Sequence, residues 1–304
     1  MEPLWGIDLG GTKIEGVILQ SLQDPQVICR LRIPTEASKG YNHILSQINM
    51  LIKLMSEEAS LTPEIIGIGT PGTLDPETAT LKNSNTTCLN GMPFKADIEK
   101  ELKLPVILAN DANCFALAET RMGVVKDIFP KSEVVFGVIM GTGVGGGLIV
   151  NGQIISGKHG IAGEWGHIFL DDSGGKCYCG RVGCVETILS GPAIQRYYQS
   201  ISGNALHLKE IVVNYEAGND EFADKTLDRL HSFFGKGIAQ VINILDPDAI
   251  VLGGGLGNIS SLYTKGVEKV KDHIFNNTVT TNFLKPALGD SAGVFGAAML
   301  VGKN

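Results

Sequence analysis

Leu4-Trp5-Gly6-Ile7-Asp8-Leu9-Gly10-Gly11-Thr12-Lys13-Ile14-Glu15-Gly16-Val17-Ile18-Leu19 begins as an apolar run that ends on a carboxylate, turns on two glycines and resumes as a second apolar run. It reads as two short strands, Leu4–Leu9 and Ile14–Leu19, joined by a Gly-Gly-Thr-Lys turn. Glycines in such a turn let backbone N–H groups face an anion without side chains in the way. Thr12 adds a hydroxyl donor and Lys13 a positive charge. Asp8, at the strand end, is placed to help hold Mg²⁺ through water, since that ion keeps much of its hydration shell.

The pattern recurs. Glu133–Met140 reads as a strand, then comes Gly141-Thr142-Gly143-Val144-Gly145-Gly146-Gly147, then a strand Leu148–Asn151. Ala249–Leu252 is a third strand, running into Gly253-Gly254-Gly255. Any one of these turns is as readily a plain hairpin, but three that each follow an apolar strand point to a bound phosphate compound. None is a Walker motif, and the glycine run at 141–147 leads into a strand where a dinucleotide fingerprint needs a helix. Gly254 and Gly255 are the expected neighbours of a flat adenine or ribose, and Thr142 and Gly143 a second set of phosphate donors.

Between these landmarks, strands alternate with helices, which is the signature of α/β architecture. Val27–Ile33 reads as a strand. A helix is expected over Tyr41–Glu58, with Ile44, Leu45, Ile48, Leu51, Ile52 and Met55 on one face. Ile65–Gly69 reads as a buried strand ending in Thr70-Pro71-Gly72; a helix Ala96–Lys103, a strand Val106–Ala109 and a helix from Asp111 follow. A small-residue helix, Ala292–Val301, closes the chain. The repeat of strand, glycine turn and strand suggests two related lobes.

With 304 residues the chain can form two domains, and 43% hydrophobic with 19% charged residues is ordinary for a folded protein. Glycine, at 39 residues, is the outlier and is clustered in the turns. A net charge of -7 argues against nucleic acid as a partner. No apolar run approaches the roughly 18 residues that span a membrane. The opening Met-Glu-Pro-Leu-Trp-Gly-Ile lacks the features of a signal peptide, so a cytoplasmic protein is expected. Cys29, Cys88 and Cys114 are scattered, but Cys177, Cys179 and Cys184 fall within eight residues. With His167 they give His-x9-Cys-x-Cys-x4-Cys, three soft thiolates and an imidazole of the kind that closes a tetrahedral Zn²⁺ site.

Together the segments Asp8–Lys13, Gly67-Ile68-Gly69-Thr70-Pro71-Gly72, Ala109-Asn110-Asp111-Ala112-Asn113-Cys114, Gly141–Gly147, Gly163-Glu164-Trp165-Gly166-His167 and Cys177-Tyr178-Cys179-Gly180-x-x-Gly183-Cys184-x-Glu186 resemble the ROK family of sugar kinases and repressors. This family lies within the ASKHA superfamily. The resemblance implies a two-lobed, actin-like (ribonuclease-H-like) α/β fold with an interdomain active-site cleft. The lobes are expected at 1–115 plus 290–304 and at 116–289, the second carrying the zinc loop.

The resemblance further implies an ATP-dependent hexose kinase with transient Mg²⁺, structural Zn²⁺ on His167, Cys177, Cys179 and Cys184, and Asp111 as general base. Position alone would make Asp111 a helix N-cap. Asn110, Glu164, His167 and Glu186 match sugar-binding positions, the zinc-bound His167 turning its second ring nitrogen to the sugar; Gly72 and Asn85 are further contacts. Asn85 and Asn90 lie in a polar loop that is as readily a plain connection. The segment Lys82–Phe94 looks most like the fructose/mannose branch, so fructose, mannose or glucose is expected, phosphorylated at O6, ahead of N-acetylglucosamine or N-acetylmannosamine. The family's repressors carry a helix-turn-helix domain ahead of the first glycine motif; with that motif at Asp8, an enzyme is expected over a sugar-sensing regulator. A homodimer and an ATP donor are expected, with polyphosphate as a rival donor.

Overall fold

The computed structural model describes residues 2–302. The strands are β1 (Leu4–Leu9), β2 (Lys13–Leu19), β3 (Val27–Pro34), β4 (Ile66–Thr70), the short pair β5 (Thr73–Leu74) and β6 (Leu81–Lys82), β7 (Val106–Asn110), β8 (Val134–Met140), β9 (Val144–Val150), β10 (Gln153–Ile154), β11 (Ala249–Gly253) and β12 (Asn282–Leu284). Helices α1 (Tyr41–Ala59), α2 (Phe94–Leu102), α3 (Asp111–Arg121) and α4 (Val124–Ile128) belong to the first half of the chain. The second half adds α5 (Glu186–Leu189), α6 (Gly191–Ser202), α7 (Leu208–Ala217), α8 (Glu221–Leu245), α9 (Lys265–Val270) and α10 (Ala292–Met299).

Two five-stranded sheets result, ordered β3-β2-β1-β4-β7 and β10-β9-β8-β11-β12. In the first, β1 pairs antiparallel with β2 and parallel with β4, and β4 pairs parallel with β7. In the second, β8, β11 and β12 run parallel. The two orders are the same pattern, which is the structural form of the repeat seen in the sequence.

The chain divides into two compact units, one of Met1–Ile128, Gly147–Ala162 and Ala287–Asn304, the other of Phe129–Gly146 and Gly163–Pro286. The boundaries differ from those expected at 115/116 and 289/290. Helix α3 continues to Arg121 and stays with the first unit, where the Gly296 Cα packs against the Cys114 carbonyl so closely that no side chain fits between α10 and α3. Glu119, fully buried on α3, accepts N–H groups from Val124, Ala287 and Leu288, which binds the incoming C-terminal segment to the same unit.

In the first unit the core lies under α1, whose Ile44, Leu45, Ile48, Leu51, Ile52 and Met55 are the face expected from their spacing. These side chains pack on Trp5, Ile7, Ile14, Ile18 and Ile68 of the sheet. One element departs from its expected bounds for a clear reason. The glycines at 145–147 were expected to be loop, yet β9 starts at Val144. A side chain on Gly147 would overlap the Ala112 carbonyl, so the strand needs glycine there to lie against α3. Steric clearance, not turn formation, explains that run.

Candidate active site

In open α/β sheets, ligands gather beyond the carboxyl ends of parallel strands. In the first unit the register sets Asp8 opposite Gly69 and Thr70 opposite Asn110, so the ends of β1, β4 and β7 bring Asp8, Thr70, Asn110 and Asp111 to one edge. The Asp8–Lys13 turn is closed by the Gly10 N–H donating to the Lys13 carbonyl at 3.0 Å. Thr35, fully buried, clamps it: its hydroxyl donates to the Gly10 carbonyl at 2.6 Å and its N–H to that of Thr12 at 3.0 Å. Gly11, Thr12 and Lys13 themselves are exposed.

Asp8 is hemmed in. A Cβ on Gly69 would stand 3.4 Å from Asp8 Oδ1 and one on Gly293 3.1 Å from Oδ2, so two glycines clear the space its carboxylate fills. Desolvation pushes its pKa to about 7, with repulsion from Asp111 and Glu15 adding to the rise and Lys13 and Arg32 opposing it. Glu15, 1% exposed, is ringed by Arg30 at 2.6 Å, Arg32 at 2.8 Å and Lys13 at 3.9 Å, and Ser291 bonds to both Arg30 and Glu15. Lys13, expected to serve phosphates, thus leans toward Glu15 in this structure.

Asp111 is the first residue of α3. The N-cap is Asn110, whose Oδ1 accepts the Ala112 N–H at 2.9 Å, while Asp111 Oδ1 shares that donor at 2.8 Å. Asn110 thus supplies the cap that position alone would have given to Asp111. Asp111 is exposed as a residue. Desolvation by the protein around it raises its pKa, against hydrogen bonds from the Ala112 N–H and the Asn110 side chain. Asp8 and Asp111 form an interacting pair, and both drive the Cys114 thiol above its ordinary range, after burial, which is the larger cause.

Gly72, at φ +117, adopts a backbone that a side chain would strain, and its carbonyl lies 3.2 Å from the Thr70 hydroxyl and 3.5 Å from Asn110 Nδ2. In the loop that follows, Asn90 makes a two-point bond to the Ser84 backbone, 2.8 Å to its N–H and 2.9 Å to its carbonyl. That makes Asn90 a loop clamp, while Asn85 is exposed.

In the second unit the parallel strands β8 and β11 again end together, with Gly253 opposite Ile139. Beyond them lie the Gly141-Thr142-Gly143 turn, closed at 2.9 Å from the Gly141 N–H to the Gly143 carbonyl, and Gly254 at φ +76 against the Met140 carbonyl. The second and third glycine turns are therefore neighbours, and Thr142, Gly143, Gly254 and Gly255 are exposed. Glu186 Oε2 accepts the Val144 N–H at 2.9 Å, which ties an expected sugar ligand to the glycine turn. Glu164 stands just before the short turn Trp165–His167, its carbonyl accepting the His167 N–H at 3.2 Å, and the turn is anchored by the Trp165 indole donating to the Gly237 carbonyl at 3.0 Å.

His167, Cys177, Cys179 and Cys184 come together with their ligand atoms all within 4.8 Å of one another. Cys177 Sγ is 3.6 Å from His167 Nδ1, and Cys179 Sγ is 3.6 Å from Cys184 Sγ. Tetrahedral zinc at the usual bond lengths sets its ligands about 3.5–3.8 Å apart, so the four fit that ion. The sulfurs are too far apart for a disulfide, and all six cysteines are free. The second nitrogen of His167, assigned to a sugar from the resemblance, meets the Tyr178 hydroxyl at 2.9 Å. Sequence reading gave Tyr178 no role, and Thr35 none; neither lies in a pattern that betrays a contact.

Two matching sheets with glycine turns at the carboxyl ends of their strands, and an aspartate pair at one of them, define an actin-like α/β protein of the ASKHA type. The ROK family model matches residues 4–304, and the chain belongs to the ROK family. It is 34% identical over 306 residues to N-acetyl-D-glucosamine kinase of Salmonella typhimurium, covering 97% of this chain and 98% of that one. Among solved structures it is similar to the ROK hexokinase from Thermus thermophilus, with TM-score 0.86 and 28% identity over 98% of this chain and 97% of that. A ROK family glucokinase from Streptomyces griseus, solved with glucose and AMPPNP, gives TM-score 0.79 and 27% identity over 98% and 99%.

Proposed function

We propose that this chain is an ATP-dependent sugar kinase that transfers the γ-phosphoryl group to a hexose O6. The observation that carries the reading is Asp111: a carboxylate on the exposed first residue of α3, sharing the Ala112 N–H with the N-cap Asn110 and electrostatically coupled to Asp8. The acceptor hydroxyl oxygen attacks the γ-phosphorus, the bond from that phosphorus to the β–γ bridging oxygen breaks, and Asp111 takes the hydroxyl proton as ADP leaves. Asn110 Nδ2, the Gly72 segment, Glu164, His167 and Glu186 hold sugar hydroxyls, and Asn85 lies at the rim. Backbone N–H groups of Gly11, Thr12, Thr142 and Gly143 receive phosphates, Gly10 holding the first turn closed through its own N–H, with Gly254 and Gly255 against the nucleoside. Asp8 would hold Mg²⁺, which supplies charge neutralisation on the phosphates.

Zinc on His167, Cys177, Cys179 and Cys184 would be structural, since all four positions come from protein. A reduced thiol cluster and ATP use fit a cytoplasmic setting, and no helix among the described residues is long and apolar enough to cross a membrane. A homodimer is part of the proposal, two-fold dimers being the commonest closed assembly.

For the acceptor, the 34% identity to N-acetylglucosamine kinases over 97% of the chain favours N-acetylglucosamine over the fructose, mannose or glucose first expected. The hexokinase and glucokinase neighbours support glucose as the second reading. The test is ADP release with fructose, mannose, glucose, N-acetylglucosamine and N-acetylmannosamine, with ATP and polyphosphate as separate donors. Highest kcat/KM for N-acetylglucosamine with ATP is expected; silence across the panel would refute the kinase reading.

A further inference from the structure

The cysteine loop of the second unit sets one of its own hydroxyls on an atom given above to the sugar. Tyr178 lies between two of the thiols, and its hydroxyl oxygen is 2.9 Å from His167 Nε2. Its ring meets the imidazole edge-on, with centroids 5.1 Å apart and the planes at 90°. Glu186 and Glu164 lie close enough to act on the phenol electrostatically. A protein hydroxyl therefore stands among His167, Glu164 and Glu186, the side chains of this unit that the proposed function assigns to sugar hydroxyls.

His167 has one donor to give. Its Nδ1 faces the thiol cluster, 3.6 Å from Cys177 Sγ, so zinc on that nitrogen would leave the ring's single proton on Nε2. In the empty protein the Tyr178 oxygen is where that proton points. The backbone under Tyr178 is fixed: the Cys177 N–H donates to the Arg181 carbonyl at 2.8 Å, the Gly180 N–H donates to the Cys177 carbonyl at 3.0 Å, and Cys177 is buried. The side chain is held far less. Tyr178 is 74% exposed, so a change of rotamer carries the phenol off His167 without moving the loop.

Resting on the reading of His167 as a sugar ligand, we propose that Tyr178 gates the acceptor site: its hydroxyl occupies the His167 N–H in the empty protein and yields it to a sugar hydroxyl. The sugar then binds only those molecules in which Tyr178 has swung out, and its apparent affinity is lowered by that fraction. A hydrogen bond of ordinary net strength makes the reduction about threefold to tenfold. The gate acts on binding and not on phosphoryl transfer, because Tyr178 has left His167 before Asp111 takes its proton. Tyr178 is therefore a positioning residue that works through His167.

The experiment compares the parent with Tyr178→Phe, which keeps the ring and loses the hydroxyl, and with Tyr178→Ala, which loses both. The probe is the sugar of the panel above that the parent turns over fastest, N-acetylglucosamine being the one expected. Calorimetric titration without nucleotide reads affinity, ADP release reads kcat and KM, and elemental analysis reads zinc. The expected result for Tyr178→Phe is a Kd and a KM lowered by about threefold to tenfold, with kcat and zinc content matching the parent. Tyr178→Ala should bind the sugar at least as tightly as Tyr178→Phe. An unchanged Kd would overturn the gate. A weaker Kd would also overturn it, making Tyr178 a sugar contact where zinc is retained and a support of the His167 ligand where zinc is lost. Both of those results leave the kinase reading intact, whereas a parent active on no sugar would remove both.

Discussion

Replacing Asp8 with asparagine should make the protein more stable at alkaline pH, and the size of the gain follows from the environment of that carboxylate. In the folded protein Asp8 titrates near pH 7 against an ordinary value of 3.8, chiefly because it is desolvated and faces Asp111 and Glu15. Between those two pH values the folded state binds more protons than the unfolded state. Stability therefore falls as pH rises through the window, and the loss is complete above the folded value. A difference of about three units at about 1.4 kcal/mol each sets an upper bound of about 4 kcal/mol. Asparagine does not titrate. The variant-minus-parent stability should be independent of pH below about 4, grow from pH 4 to 7, and level off above, by up to the same ~4 kcal/mol. Chemical denaturation at pH 5, 6, 7 and 8 measures this curve. A variant-minus-parent difference that stays flat from pH 5 to 8 would refute the argument. The same carboxylate must ionise to hold magnesium, so nucleotide binding with Mg²⁺ near pH 6.5 should release protons, read as a buffer-dependent enthalpy, and Asp8→Asn should lower that release.

Two further predictions rest on packing and on the thiol cluster. A Cβ on Gly67 would overlap the Ala297 carbonyl, so Gly67→Ala should cost about 3 kcal/mol by separating β4 from α10, seen as a lowered Tm; an unchanged Tm would contradict the close approach. Purified protein should contain one zinc per chain by elemental analysis, and Cys184→Ser should lose it. On the proposed reading, in which His167 serves both zinc and sugar, chelation should weaken sugar binding before it unfolds the protein; full activity in stripped protein would break that link.

Much of this fold is written in short-range pattern. The face of α1 is six apolar residues at helical spacing, and burial followed spacing because α1 covers one face of the first sheet. The cysteine cluster was legible because soft ligands at close spacing in a reduced chain have few other uses. What escaped was set by contacts between distant segments. The first part of β9, residues 144–147, looked like loop because glycine marks both turns and close approach, and the Ala112 carbonyl that decides between them lies more than 30 residues away in sequence. Thr35 belongs to no motif that assigns it a role; it is defined by the turn it clamps, more than 20 residues earlier in the chain. The capping role of Asn110 is a matter of one residue of helix phase, finer than a sequence pattern resolves.

The central claim is that Asp111 takes the proton from a sugar hydroxyl during transfer from ATP. The direct measurement is ADP release by the parent and by Asp111→Asn with N-acetylglucosamine, alongside calorimetric titration of both proteins with that sugar. The account predicts a kcat lower by at least about 100-fold in the variant with sugar affinity close to that of the parent. Turnover within about tenfold of the parent would contradict it, because loss of a general base costs more than that.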